Sequence, residues 1–308
     1  MPTWLAWTIK IAVVAAYFWI LEYFWGWKQL LAPWQSISYL TIFAAVVLLS
    51  LTYFIRAWRI YDYFRTDIAG NYILTLKLTL LHNVLNNLLP ARSGEVSFPL
   101  LMKRYFQVSL TRSTATLLWL RFMDLHTILL LGAGSLYFTT TTSPWWLAAM
   151  ALWITLPLAA YLAHAKLAGM VPRIHNPKWE AIAAKLISGL PNSVAELSRA
   201  WSWTLISWSI KVVAMAWILT QFTPVTHAQA WVGAIAGDLS SVLPFHAPAG
   251  VGTYEAATLG GLAAVGVNTD TAIQAAVNLH IMILLSSLLG GALALLIKEN
   301  SQSQSISN

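Results

Sequence analysis

The stretch Gly237–Glu255, GDLSSVLPFHAPAGVGTYE, lies inside a long apolar part of the chain. It combines Asp238 and Glu255 with His246, Pro244, Pro248, Gly250 and Gly252, a mixture that no uninterrupted membrane helix accommodates. Proline removes a backbone donor and glycine loosens a helix, so the freed polar groups need other partners. At membrane depth, irregular backbone persists only where it is buried in protein or lines a watery cavity. The stretch therefore predicts a broken or re-entrant helix beside a substrate path. A shorter echo at Leu88–Glu95, LLPARSGE, predicts a second.

That reading presumes lipid as solvent, and composition requires it. Hydrophobic residues make up 58% of 308 positions and charged residues only 9%, too few to coat a soluble core of this size. The 17 tryptophans gather near the ends of the apolar runs, as at Trp25 and Trp27, Trp145 and Trp146, and Trp201 and Trp203. That is the pattern of interfacial belts. The absence of cysteine excludes disulfides, thiolate metal sites and cysteine nucleophiles. A formal charge of +7 marks cytoplasmic loops beside anionic lipid, and no nucleic-acid partner is expected. There is no P-loop, dinucleotide fingerprint or HExxH, and the histidines do not fall at a metal-ligand spacing. No cofactor or metal is expected.

Along the chain, apolar runs at about 3–25, 34–55, 114–138, 145–164, 201–222 and 272–297 are each long enough to span. The first is read as a retained helix rather than a signal peptide, because only Lys10 is basic ahead of a run that continues to Trp25. Between residues 166 and 199, Trp179, Ile182, Leu186 and Leu190 recur at helical spacing, which predicts an amphipathic helix on the membrane surface. Arg56, Arg59 and Arg65, then Lys103, Arg104 and Arg112, the 166–199 loop and Lys298 are all expected on the cytoplasmic side. Alternation then holds only if 71–106 enters from and returns to the cytoplasm, while 231–267 enters from and returns to the opposite side. The expected fold is all-α: a polytopic integral membrane helical bundle of about six full spans plus two oppositely oriented broken or re-entrant hairpins. Inverted transporter repeats have this pattern. Residues 1–300 form one transmembrane domain and 301–308 a disordered polar tail, with both termini in the cytoplasm of a multi-pass inner-membrane protein.

The first hairpin places His82, Asn83, Asn86 and Asn87 on adjacent stripes of one helix side, followed by Pro90, Arg92, Gly94 and Glu95 at the break. Arg92 and Glu95 either pair to hold the turn or receive and balance an anionic headgroup. Arg121 and Asp124 share a helix face three residues apart, as a structural ion pair or as part of a site. His126 reads as a packed core histidine. Lys211 is mid-span and too far from either end to snorkel, so it needs an anion, with Asp238 and Glu255 both eligible. In the second hairpin, Pro244 follows Asp238 at the break, and Gly250 and Gly252 allow close backbone approach. A helix starting there would aim its N–H groups at an anion, and Glu255 either caps that helix or faces the site. Gln274 and Asn278 share a face suited to bonding a neighbouring helix.

The pairing of N-x-L-L-P-x-R-x-G-E at Asn86–Glu95 with L-P-x-x-x-P-x-G-x-G-x-x-E at Leu243–Glu255 resembles the membrane domain of lysylphosphatidylglycerol synthases. That domain also forms stand-alone flippase-like proteins, some associated with hopanoid or glycolipid pathways. The chain departs from the pattern at Phe245–Ala249, FHAPA, where Ala249 stands at an expected glycine. The resemblance implies a translocating domain without synthase activity. It makes a membrane lipid, anionic, aminoacylated or isoprenoid, the expected substrate, and lipid-biosynthesis enzymes the candidate partners. A substrate site would then use Asn83, Asn86, Asn87, Arg92, Glu95, Arg121, Asp124, Lys211, Asp238, Pro244, Gly250, Gly252 and Glu255. Two other classes remain open: a non-transporting scaffold of a lipid-synthesis complex, and an intramembrane enzyme on lipid phosphates with Asp238 or Glu255 as base.

Overall fold

In the computed structural model, residues 3–68, 70–140, 143–173, 176–242 and 247–298 are described. They form helices α1 (Thr3–Phe24), α2 (Trp27–Leu30), α3 (Tyr39–Tyr63), α4 (Arg65–Ile68), α5 (Tyr72–Leu88), α6 (Ser97–Phe106) and α7 (Leu110–Thr140). These are followed by α8 (Pro144–Ile154), α9 (Leu156–Ala168), α10 (Pro177–Ile187), α11 (Val194–Phe222), α12 (His227–Val242), α13 (Thr253–Ala264) and α14 (Thr269–Leu296). No strand occurs among the described residues. The protein is an all-helical, polytopic membrane bundle.

Local chemistry sets the helix ends. Ser38, Asn71, Ser193 and Asn268 each accept a backbone N–H from the first turn of α3, α5, α11 and α14, satisfying donors that a helix start leaves orphaned. Pro144 and Pro177 occupy the first turn of α8 and α10, where the missing N–H costs nothing. Pro157, two residues past the join at Thr155, accompanies the break between α8 and α9.

Five segments are long and apolar enough to cross a membrane: Tyr39–Tyr63, Leu110–Thr139, Pro144–Lys166, Val194–Phe222 and Thr269–Leu296. α1 adds a further helix of 22 residues. The lipid-facing character is plain in side chains such as Tyr39, Phe138, Trp145 and Leu296, which are large, apolar and uncovered by protein. α10 forms over three of the four periodic residues, with Trp179, Ile182 and Leu186 all exposed along it. It ends at Ile187, and Leu190 packs beyond it in a core cluster with Trp119.

Two elements fold back instead of running on. α5 stops where Leu89 turns extended ahead of Pro90, as the residue before proline must. A 3-10 tip, Pro90–Val96, then leads into α6. Gly94 seats this tip directly on α5, since a Cβ there would sit 2.4 Å from the Asn86 Cα. In the second hairpin, α12 and α13 pack face to face through Gly233, Gly237 and Gly261, whose absent side chains admit Leu262, Thr258 with Tyr254, and Ala236. Small residues at such a contact let helices approach where lipid provides no hydrophobic drive between them. The second tip, Pro248–Gly250, rests against α5 and the first tip. With 10 residues in α6 and 12 in α13, these arms reach only about 15–18 Å at 1.5 Å per residue.

The largest core cluster joins Leu49 of α3, Met215 and Leu219 of α11, Ala234 of α12, Leu262 of α13 and Leu279 of α14. α5 packs against α3 and α14, with Leu76 and Leu80 beside Tyr53 and Ala294. Both hairpins thereby pack on long helices, the first on α3, α7 and α14 and the second on α7, α11 and α14. The pair α8–α9 lies at the edge, scarcely covered by protein.

One expectation is corrected here. The second apolar run does not end at Ile55 with its arginines in a loop; α3 continues to Tyr63 and carries Arg56 and Arg59 into the bundle. Each finds a polar neighbour there that a surface loop does not supply. The tail 301–308 lies outside the described residues.

Candidate functional site

Thr52, Arg56 and Arg59 recur at helical spacing along α3, so one face of that helix is polar and turned inward. Asn83, Asn86 and Asn87 do the same on α5, and Trp208 and Lys211 on α11. Together with Asp238 and Ser241 of α12 and Ala249 of the second tip, they wall a cavity of about 110 Å³, room for several water molecules. The site lies where the two hairpins meet.

Asp124 of α7 anchors one side. It is 2% exposed and pairs with Arg59 at 2.5 Å and with Arg121 at 3.0 Å, while the Trp208 indole donates to it at 2.9 Å. Arg59 also donates to the Thr204 hydroxyl at 3.1 Å. Arg121 continues the chain to Glu95 of the first tip at 2.9 Å and lies 3.3 Å from His82 Nε2. A guanidinium only donates, so Nε2 accepts, and Nδ1–H is left to donate to Ser97 Oγ at 2.9 Å. One network thus ties α3, α5, the first tip, α7 and α11. Buried charge persists when partners compensate it, and here the carboxylates do so although Nε of both Arg59 and Arg121 is buried without a hydrogen bond.

Beside Trp208, Lys211 Nζ lies 2.6 Å from an Asp238 carboxylate oxygen and 5.0 Å from the centre of the Trp208 ring. Arg56 approaches the same ring, at 5.7 Å, and donates to Asn83 Oδ1 at 3.4 Å. Asn83 and Asn87 both donate to Ser287 of α14.

A third cluster reaches the cavity through His280 and Tyr254, which line it. Glu255 accepts from the Gly252 backbone at 2.8 Å and from Tyr17 at 2.7 Å, with His280 Nδ1 at 2.7 Å. It caps α13 and clamps that helix to α1 and α14. Gly250 and Gly252 have φ of 76° and 80°, a backbone that glycine alone adopts freely. Ala249, at the position where glycine was expected, indeed sits in the left-handed region with φ 54°.

Of the residues singled out in the sequence, Asn83, Asn86, Asn87, Arg121, Lys211 and Asp238 line the cavity. Glu95 and Asp124 stand behind them as partners of Arg121. Glu255 and Gly252 do not line it, and Glu255 is not the partner of Lys211. The Arg92 side chain and Pro244 lie outside the described residues, as does His246. His126 packs flat on Trp153, as a core histidine should, and Gln274 and Asn278 bond backbone carbonyls of α2. Sequence reasoning missed Arg56, Arg59, Tyr53, Trp208 and the partnership of Tyr17 and His280 with Glu255. The signal for the arginines was present: the 52, 56, 59, 63 spacing continues the helix beyond its apolar run.

No curated protein and no solved structure gives a significant match to the chain. The family described as "Lysylphosphatidylglycerol synthase TM region" matches it over residues 7–291. The two broken hairpins built on the Asn86–Glu95 and Leu243–Glu255 motifs are therefore those of a family member, and the chain belongs to the lysylphosphatidylglycerol synthase TM region family.

Proposed function

We propose that this protein binds a membrane lipid by an anionic headgroup in the cavity between the hairpins and assists its transfer between leaflets, without chemistry. The observation that carries the reading is the cavity itself: a chamber with Arg56, Arg59, Arg121 and Lys211 in an otherwise mixed polar and apolar wall, at the meeting point of two broken hairpins inside an apolar bundle. Moving a bare headgroup through hydrocarbon strips charge of water at a cost of several kcal/mol or more. Arg56, Arg121 and Lys211 supply replacement solvation, while acyl chains stay in lipid. The short arms α6 and α13 fit re-entrant hairpins entering from opposite faces, as in transporters built on inverted repeats. Arg65, Lys103, Arg104, Arg112 and the basic 166–199 region favour a cytoplasmic location for the helix ends and connections that hold them, and hence for both termini, in a cell inner membrane.

The non-enzymatic reading has its own support. Asp124, Asp238, Glu95 and Glu255 all sit against cations or multiple donors, a poor arrangement for a general base. The decisive test is leaflet exchange of fluorescent phosphatidylglycerol in liposomes containing the purified protein, beside an Arg121→Gln/Lys211→Gln variant checked for folding by its melting curve. Exchange in the wild type, lost in a folded variant, is expected. Equal exchange in both defeats the cavity route, and a chemically altered lipid in the recovered vesicles points to an enzyme instead.

A further inference from the structure

The cations around the cavity are not equivalent. Arg59 and Arg121 share Asp124, Arg121 also holds Glu95, and Lys211 holds Asp238. Arg56 alone has no carboxylate within ion-pair distance among the described residues; its polar contact is one long bond to an amide oxygen. Asp124 and Asp238 lie near enough to act on it through space but not to pair with it, and an intramembrane guanidinium with no carboxylate in contact marks a ligand site or conduction path by default. Its position is informative too. Arg56 and Lys211 approach one indole, Trp208, which also holds Asp124 by its N–H, so the ring is fixed and both cations converge on it. The Arg56 fork thus faces a cavity that has room for a small oxyanion beside a second cation.

We propose that Arg56 is the anion-receiving residue of the cavity and that, with Lys211 beside it, it binds the phosphate of a phosphodiester. The charge count selects this class. Among the described residues each other cation is matched by a carboxylate, which leaves one positive charge, and a phosphodiester carries one negative charge. A phosphomonoester approaches two near neutral pH and would leave negative charge unmatched beside Asp238. The inference rests on the lipid-binding reading for the source of the phosphate, since a soluble phosphodiester has the same chemistry.

The test uses the full chain in detergent, comparing wild type, Arg56→Gln, Arg56→Lys and the exposed control Lys185→Gln. Each is titrated with phosphatidylglycerol, phosphatidic acid and, as the soluble source, glycerophosphoglycerol, with melting temperature and intrinsic fluorescence as readouts. Melting without additive establishes that each variant is folded. We expect phosphatidylglycerol to bind wild type and Lys185→Gln alike, about tenfold or more weakly to Arg56→Gln, and at an intermediate level to Arg56→Lys. Phosphatidic acid should bind more weakly than phosphatidylglycerol in the wild type. If folded Arg56→Gln binds phosphatidylglycerol as the wild type does, or if phosphatidic acid binds as well or better, the proposal is overturned. Glycerophosphoglycerol binding that matches the lipid's and depends on Arg56 keeps the anion site and removes its lipid source. Arg56-dependent lipid binding with no leaflet exchange likewise keeps the site and removes transfer.

Discussion

At Asp124 three donors from three helices converge on one carboxylate that water scarcely reaches. Removing it strands Arg59 in the interior and leaves Arg121 with Glu95 alone, so Asp124→Ala should destabilise the folded protein by about 3–5 kcal/mol. The half-exposed pair Arg199–Asp62, at 3.2 Å, offers a comparison of similar chemistry; Asp62→Asn should cost under about 1 kcal/mol because solvent screens it. Denaturation midpoints in one detergent measure both, and equal losses would mean that the Asp124 network is not what holds α3, α7 and α11 together. Ala249 makes the opposite case. Its left-handed backbone costs a residue with a Cβ roughly 1–2 kcal/mol, partly offset by the greater freedom that glycine loses on folding. Ala249→Gly should therefore raise stability by up to about 1 kcal/mol. A lowered midpoint would show that the methyl, which lines the cavity, contributes packing that outweighs the strain.

The hairpins depend on missing side chains. At Gly237 a Cβ would meet the Thr258 hydroxyl at 2.4 Å and the Tyr254 ring at 2.7 Å, and at Gly94 it would meet α5 backbone at 2.4 Å. Overpacking of this kind costs about 1–3 kcal/mol. The two sites should differ in how they yield. At Gly237 side chains can shift, whereas at Gly94 only backbone can, so Gly94→Ala should be the more damaging to melting temperature and to headgroup binding. Finding Gly237→Ala the worse of the two would point to the α12–α13 seam, rather than the first tip, as the rigid part of the site. Much of this level was legible in advance. Pro90 and the glycines around residue 250 announced two breaks, and capping residues such as Ser38 and Asn268 stand where helices begin. The hidden part was pairing: nothing in the order of residues says that Tyr17 and His280 share Glu255, because 238 residues separate Tyr17 from its partner.

For the molecule as a whole, a headgroup route requires that water reach the cavity. The chain contains no cysteine, so single thiols can report this without background. Ser241 lines the cavity, whereas Ser286 is fully buried and does not. In reconstituted vesicles a small water-soluble thiol reagent should label Ser241→Cys and spare Ser286→Cys. No labelling at 241 would mean a dry chamber, unfit for transfer of a charged group. The sequence by itself determined the solvent, the class and the breaks, since scarce charge, apolar runs of spanning length and proline–glycine interruptions are local properties. Arg56 and Arg59 mark its limit. In order along the chain they sit with Arg65 as a basic cluster after an apolar run, which is how a cytoplasmic loop reads. Only the packing of α3 against α5 and α11, with Asp124 reaching in from α7, decided that two of the three point inward, because the cost of a buried guanidinium is set by partners, and partners such as Asp124 and Thr204 arrive from distant segments.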